Sequence, residues 1–169
     1  MAARADRSSP PTPSDPPRQF IALPDGPVAW TDEGQGPTLV ALHGLPGTAR
    51  DFRYLAPLLA AHWRVVRIDM PGFGETPVTT APDPSVEGRA RFVNSVLDAL
   101  DLRRAVLLGH SMGGVVACAV ADAAPARVAG LALLSTPGLR AHRLLRRTPF
   151  GFFSRLLRRR VVGTAMAPV

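Results

Sequence analysis

Apolar segments alternate with amphipathic segments along most of the chain. Four short apolar runs, of the kind found in strands that are buried on both faces, lie at 38–42, 63–68, 105–108 and 128–134. Between them the apolar positions recur every three or four residues, as in helices that bury one face. Thr48 and Ser85 stand where a side-chain oxygen can cap a helix, and 112–124 is a third, alanine-rich helical stretch.

Two further strands precede this alternating region. Residues 20–23 and 28–31 flank the Pro-Asp-Gly-Pro sequence 24–27, which predicts a turn and therefore a hairpin. Alternating buried strands and amphipathic helices require a parallel sheet that is covered on both faces. We therefore predict an α/β fold: a mostly parallel, twisted sheet of about six strands with helices on both faces.

One strand of this sheet ends in a catalytic motif. Gly109-His110-Ser111-Met112-Gly113 has the G-x-S-x-G pattern of a nucleophile elbow, in which a strained serine joins a strand to a helix and exposes its hydroxyl. Glycine is needed at both flanks because a Cβ beside the strained serine would collide with its surroundings. The apolar run before the motif and the helical stretch after it are the context that the motif requires.

A second strand end offers partners for this serine. The N-terminus of a helix favours developing negative charge, so the Met112 N–H is a candidate oxyanion-hole donor. The His43–Gly47 turn follows the 38–42 strand, and we expect Leu45 to supply the other N–H. We also expect His43 and Gly44 of this turn to contact the substrate.

Three motifs occur in the order found in one family. His43–Gly47, residues 69–76 (Asp-Met-Pro-Gly-Phe-Gly-Glu-Thr) and Gly109–Gly114 together resemble the N-terminal portion of an α/β-hydrolase fold enzyme, over roughly residues 20–138. The resemblance implies an oxyanion loop, a structural turn and a nucleophile, in that order. It also implies that Ser111 attacks an acyl carbon of a small-molecule ester, thioester, amide or activated carbon–carbon bond. Haloalkane dehalogenases and epoxide hydrolases of this fold use aspartate at the elbow, so serine argues against both.

The serine needs a histidine base and an oriented carboxylate, which in this family follow it in the chain. Downstream of Ser111 the chain offers Asp122 and His142. Asp122 falls about three turns along the elbow helix, and His142 lies among arginines where the family begins its cap. We find neither the triad acid nor the triad histidine in this sequence, and predict a truncated chain that lacks the last two strands of the fold.

Other ionisable residues are weaker candidates for the missing groups. Strand alternation turns the His110 side chain away from the hydroxyl, so packing is its expected role. His43 supports its loop in relatives, and His62 precedes a strand at the far end of the sheet. Asp69 belongs to the structural turn and is not expected to be the triad acid.

The charge of the chain is concentrated at one end. Of 169 residues with a formal net charge of +7, residues 138–169 contain eight arginines and no acid. We predict three regions: a disordered Pro/Arg-rich N-terminus at 1–18, a partial core at 19–138, and the basic, amphipathic start of a cap at 139–169. Arginine beside Phe and Leu also suits an anionic membrane surface, so membrane contact by this tail is an open alternative. Specific nucleic-acid binding is not expected, because no recognised motif occurs.

The remaining composition bears on the cellular compartment of the protein. Cys118 is the single cysteine, which excludes an intrachain disulfide and suits a small buried hydrophobe in a reducing compartment. No apolar run approaches the roughly 18 residues of a membrane span, and no signal peptide is recognisable. We expect a cytoplasmic protein, and neither a metal nor an organic cofactor is implied.

The predicted truncation leaves two hypotheses. In the first, the chain is an esterase or acyl-hydrolase half-domain with nucleophile and oxyanion hole, weakly active or inactive alone. In the second, it is a noncatalytic binding module, or a half-domain that a partner chain completes. The strand at 128–134 would then be an exposed edge open to self-association or to a partner.

Overall fold

The computed structural model describes residues 14–80 and 83–137. These residues form six strands and three α-helices, joined by short 3₁₀ helices. The strands are β1 (Gln19–Leu23), β2 (Gly26–Glu33), β3 (Thr38–Leu42), β4 (Arg64–Ile68), β5 (Ala105–His110) and β6 (Val128–Leu134); the helices are α1 (Ala56–Leu59), α2 (Val86–Ala99) and α3 (Met112–Ala123).

The six strands form one sheet in the order β1-β2-β4-β3-β5-β6. β4, β3, β5 and β6 run parallel to one another, whereas β1 and β2 pair antiparallel as a hairpin, and β2 pairs antiparallel with β4. The predicted α/β class, with a mostly parallel sheet of six strands, is confirmed.

Helices cover the two faces of the sheet. On one face, α2 and α3 pack on a large apolar cluster that includes Val40, Val66 and Leu107. On the other face, α1 and the 3₁₀ helix Ala49–Phe52 cover a smaller cluster around Leu39 and Val65. Side chains alternate across each strand, so one run such as 64–68 supplies both clusters.

Local signals set the starts of the helices. The Ser85 hydroxyl accepts a hydrogen bond from the Gly88 N–H at 3.0 Å and caps α2, as predicted. Thr48 accepts from the Arg50 N–H at 3.2 Å, but the helix predicted after it divides into the 3₁₀ helix Ala49–Phe52 and the short α1. Pro57 lies in the first turn of α1, where its missing N–H costs no hydrogen bond.

Residues 14–18 lie against the sheet. Asp15 forms ion pairs with Arg67 of β4 at 2.9 Å and with Arg50 at 2.7 Å. Arg67 is only 1% exposed and also pairs with Glu33 at 2.8 Å. The disorder predicted for residues 1–18 falls mainly outside the described residues, but these contacts attach the end of that segment to β4.

At the opposite side of the sheet, β6 pairs with β5 and is the last described strand. All of its residues are apolar or glycine, yet none of them is fully buried. The predicted cap start at 139–169, with His142 and the arginine-rich tail, lies outside the described residues.

Candidate active site

Three loops meet at one edge of the sheet. Parallel strands end on the same side, so the residues that follow β3, β4 and β5 come together there. These residues begin at His43, Asp69 and Ser111, each of which belongs to one of the three motifs of the sequence. The fold therefore assembles the three motifs into one region.

Ser111 has the backbone geometry of a nucleophile elbow. Its φ is 50° and its ψ is −118°, a combination that residues with a Cβ seldom adopt. The serine precedes the first residue of α3, but its side chain makes no capping hydrogen bond to the helix. The hydroxyl is thus not used to hold the helix start. The Ser111 N–H pairs with the neighbouring strand, donating to the Leu134 carbonyl of β6 at 2.9 Å.

Glycines make the sharp turn possible. A Cβ on Gly109 would lie 2.4 Å from the Gly114 Cα, and a Cβ on Gly113 would lie 2.1 Å from the Leu42 carbonyl oxygen. Both neighbours are backbone atoms, which cannot rotate away. The close approach allows α3 to begin directly against the ends of β3 and β5.

The loop after β3 passes beside the elbow. A Cβ on Gly44 would lie 3.0 Å from the Ser111 Cβ and 2.9 Å from Nδ1 of His110. Gly44 is buried, whereas Leu45 is 39% exposed at the site edge of the sheet. Met112 opens α3 directly after the serine. Met112 thus follows Ser111 in the chain, and Leu45 follows Gly44, which lies beside Ser111. That their N–H groups form an oxyanion hole stays a prediction.

His43 links two of the three loops. Its Nε2 accepts a hydrogen bond from the Met70 N–H at 2.9 Å, so Nδ1 carries the proton and donates to the Gly44 carbonyl at 2.7 Å. Burial lowers the pKa of His43, although the Gly44 acceptor and the Asp69 charge act in the opposite direction. The ring is therefore neutral near neutral pH, and both nitrogens are occupied. Substrate contact by His43 and Gly44 stays a prediction.

Asp69 holds the turn that follows β4. Its side chain is completely buried, Oδ1 accepts from the Ala49 N–H at 2.7 Å, and Oδ2 accepts from the Glu75 N–H at 3.1 Å. A Cβ on Gly74, whose φ is 55°, would lie 2.1 Å from Oδ2. Both carboxylate oxygens thus serve the turn, which agrees with the structural role expected of this aspartate.

The other acid and histidine candidates lie in separate parts of the fold. Asp122 lies near the C-terminal end of α3, and His62 is exposed and precedes β4, at the sheet edge opposite the serine. The His110 ring lies beside Gly44. His142 lies outside the described residues.

Two contributors to the site were missed in the sequence. The Phe73 ring meets the His43 ring edge-on with centroids 5.8 Å apart, and the Arg18 guanidinium lies 3.4 Å from the Asp69 carboxylate. Phe73 belongs to a motif that was recognised only as a turn. Arg18 lies in a proline-rich segment, where nothing in the local pattern marks a contact residue.

Residues 14–80 and 83–137 contain no group of three or more His, Cys, Asp or Glu side chains that could hold a metal ion. Among the same residues, no helix is long and apolar enough to cross a membrane.

A parallel sheet with a serine elbow at its carboxyl edge defines the class of protein as an α/β protein of the hydrolase type. The sequence pattern of the alpha/beta hydrolase fold family matches residues 37–163. The chain belongs to that family.

The chain is similar to several named enzymes. It is 40% identical over 126 residues to a 2-hydroxy-6-oxononadienedioate/2-hydroxy-6-oxononatrienedioate hydrolase of Cupriavidus pinatubonensis, a match that covers 69% of this chain and 43% of that enzyme. It is 34% identical over 137 residues to the bifunctional epoxide hydrolase 2 of Sus scrofa, covering 76% of this chain and 24% of that protein. A solved N-acyl homoserine lactone degrading enzyme superposes with a TM-score of 0.64 at 30% identity, covering 72% of this chain and 47% of that one.

These matches support an enzyme of the α/β-hydrolase class by resemblance. They also show that the chain spans less than half the length of each of these three relatives.

Proposed function

We propose that this chain carries the nucleophile and the oxyanion hole of a serine acyl hydrolase of the esterase type. The observation that carries the proposal is Ser111, a non-glycine residue with a φ of 50° whose hydroxyl is left out of the helix cap. Backbone strain of this kind persists where the surrounding structure enforces it, and it is frequent at catalytic residues. The Met112 and Leu45 N–H groups would stabilise the oxyanion that forms when Ser111 attacks an acyl carbon.

Serine at the elbow favours acyl transfer over epoxide opening. A serine attack on an acyl carbon gives an acyl-enzyme that water can release, once a base has taken the hydroxyl proton. The similarity to an epoxide hydrolase therefore reflects the shared fold, and the substrate is expected to be a small acyl compound.

We further propose that the triad acid and histidine lie in polypeptide outside this sequence. Support comes from the relatives, of whose length the chain spans less than half, and from the described residues, in which Asp69 and His43 are already engaged. In a well-studied serine protease, loss of the catalytic serine or histidine costs about 10⁶ in turnover. The chain alone is therefore expected to be weakly active or inactive. We also propose that the protein is cytoplasmic.

A fluorophosphonate probe tests the nucleophile. We expect slow labelling of the folded 169-residue chain, mapped by mass spectrometry to Ser111 and abolished in Ser111→Ala. Ser85→Ala is the matched control, because Ser85 also precedes a helix but uses its hydroxyl as a cap. If the folded chain takes up no label, or labels equally at other serines, the assignment of Ser111 is wrong.

The second candidate is a half-domain that a partner chain completes. It is favoured by β6, an apolar strand that pairs on one side only among the described strands and is nowhere fully buried. A strand added along β6 would satisfy its free N–H and C=O groups. Light scattering on the chain and on Leu131→Arg, in the middle of β6, tests self-pairing: a dimer lost in the variant supports it, and a wild-type monomer rules it out.

The nucleotide sequence after codon 169 tests the source of the missing groups. A continued or frame-shifted reading frame with an apolar strand, then an aspartate and later a histidine, would support the proposal. A frame without them would favour the alternatives, a half-domain that a partner chain completes or a noncatalytic binding module.

A further inference from the structure

One guanidinium bridges both ends of the turn that follows β4. The Arg18 Nη1 lies 3.4 Å from Oδ2 of Asp69, at the start of the turn, and the Arg18 Nε donates to Oε1 of Glu75, at its end, at 3.1 Å. Arg18 precedes β1 and is 57 residues from Glu75 in the chain. The contact therefore joins the N-terminal segment to a loop of the candidate active site.

The Asp69 carboxylate requires such a partner. It is completely buried and accepts two backbone N–H groups, and a buried carboxylate without a cation is costly. Within residues 14–80 and 83–137, Arg18 is the cation that forms an ion pair with it. Arg18 is thus placed to keep the turn in one arrangement.

The turn 69–76 also holds the 43–47 loop, which lies beside Ser111. Its Met70 N–H donates to the His43 Nε2 at 2.9 Å, and the His43 Nδ1 donates to the Gly44 carbonyl at 2.7 Å. Gly44 lies against the Ser111 Cβ. A chain of direct contacts therefore runs from Arg18 to the backbone next to the nucleophile.

A second anchor fixes the other end of the N-terminal segment. Asp15 pairs with Arg67 at 2.9 Å, and Arg67 is 1% exposed in the middle of β4. Arg50, just beyond the 43–47 loop, pairs with the other Asp15 oxygen at 2.7 Å. With Asp15 and Arg18 both held, the two residues between them, Pro16 and Pro17, have little freedom to move Arg18 away.

We propose that Arg18 is a positioning residue for the 43–47 loop: it fixes the turn 69–76, and through Met70 and His43 it sets the place of Gly44 beside Ser111. The loop's role as an oxyanion hole rests on the proposed function, but the positioning itself does not. Asp15 supports Arg18 by holding the segment on β4.

Nitrogen-15 NMR of the full 169-residue chain tests the proposal without needing activity. We expect Arg18→Gln to shift the His43 ring nitrogens and the Gly44 amide, and Arg18→Lys, which retains the cation, to return them most of the way. Arg103→Gln is the matched control, because Arg103 is an exposed arginine paired with Asp101. We expect it to leave both signals in place.

A purely stabilising role would give a different result. Arg18→Gln would then lower the urea midpoint while the His43 and Gly44 signals of the folded protein stayed unchanged, which would overturn the proposal. If Arg18→Gln does not fold, Glu75→Ala serves instead, because it removes one arm of the bridge at a half-exposed side chain. We expect smaller shifts of the same signals, and their absence would equally overturn the proposal.

The two proposals fail separately. Shifted His43 and Gly44 signals in a chain whose Ser111 takes up no fluorophosphonate would leave the positioning role standing and remove the nucleophile. Labelling of Ser111 with unchanged signals in the variants would do the reverse.

Discussion

Two serines stand at the starts of two helices and serve opposite purposes. Ser85, before α2, has a φ of −63° and a ψ of 164°, and its hydroxyl accepts the Gly88 N–H at 3.0 Å. Ser111, before α3, has a φ of 50° and a ψ of −118°, and makes no capping bond. The same residue type at the same helical position is thus a structural cap in one case and, in the other, a hydroxyl that makes no capping bond.

The cause lies in what precedes each serine. A loop leads to Ser85, so its backbone can take the extended conformation from which an N-cap side chain reaches the helix. Ser111 follows β5 without a linker, and the chain must reverse within one residue to begin α3. An elbow is therefore a helix start without a side-chain cap, because the adjoining strand and helix impose the backbone conformation of the serine.

The largest expected effect concerns the glycines that permit this turn. We expect Gly113→Ala to lower the free energy of unfolding by about 3 kcal/mol, because its Cβ would lie 2.1 Å from the Leu42 carbonyl oxygen and overpacking against backbone cannot relax. Urea denaturation measures the loss. Gly130→Ala in β6 is the control, since its Cβ would meet no atom closer than 3.8 Å. Equal stability of the two variants would contradict the close packing at the elbow.

Replacement by glycine should change the free energy of unfolding in opposite directions at the two serines. Ser111→Gly should raise the free energy of unfolding by about 1 kcal/mol, because glycine tolerates a positive φ and the strain of about 1–3 kcal/mol is relieved. Ser85→Gly should lower it by a few tenths of a kcal/mol, because a good cap is lost without relief of strain. A destabilised Ser111→Gly chain in the same urea experiment would show that the backbone at Ser111 is not strained.

Replacement of each serine by alanine should give a smaller difference in stability between the two positions. Ser85→Ala should cost about 1 kcal/mol, the usual value of an N-cap, and Ser111→Ala should stay within about 0.5 kcal/mol of the wild type. Thermal unfolding followed by circular dichroism checks both, with Ser85→Thr as the variant that keeps an acceptor oxygen. Equal losses at the two positions would mean that the Ser111 hydroxyl also supports its helix.

The smallest effect is expected at Cys118, a thiol within α3. Burial raises the pKa of Cys118 to about 11, so that at pH 8 about one thiol in a thousand is ionised. Iodoacetamide should therefore leave the folded chain unmodified at pH 8 and react readily in urea. Alkylation of the folded protein would show that α3 opens to solvent, and would weaken the contrast between a buried thiol and a presented hydroxyl.

Much of the fold could be predicted because its signals are local. The elbow and the Ser85 cap each depend on residues within a few positions of one another. The predicted order of strands and helices follows from short apolar runs whose side-chain period is fixed by the backbone. Boundaries were less accurate: β2 extends to Glu33, β5 extends to His110, and the helix after Thr48 is split.

The sequence indicated which loops lie at the candidate site, but not the contacts between their residues. The sequence indicated that His43 and Asp69 belong to loops near the serine. It did not indicate that the Met70 N–H would occupy the His43 ring, or that Arg18 would bridge the turn. These partners are 27 and up to 57 residues apart in the chain, so no periodicity or spacing links them.

The sequence by itself determined the strand-elbow-helix unit, the serine in it and the family to which the chain belongs, because glycine and serine at fixed spacing carry their own steric rules. Tertiary structure alone decided which partners the buried polar groups have. It buried Arg67 beside Asp15, engaged both ring nitrogens of His43, and placed Arg18 beside Asp69, since each of these contacts joins segments that are distant in the chain.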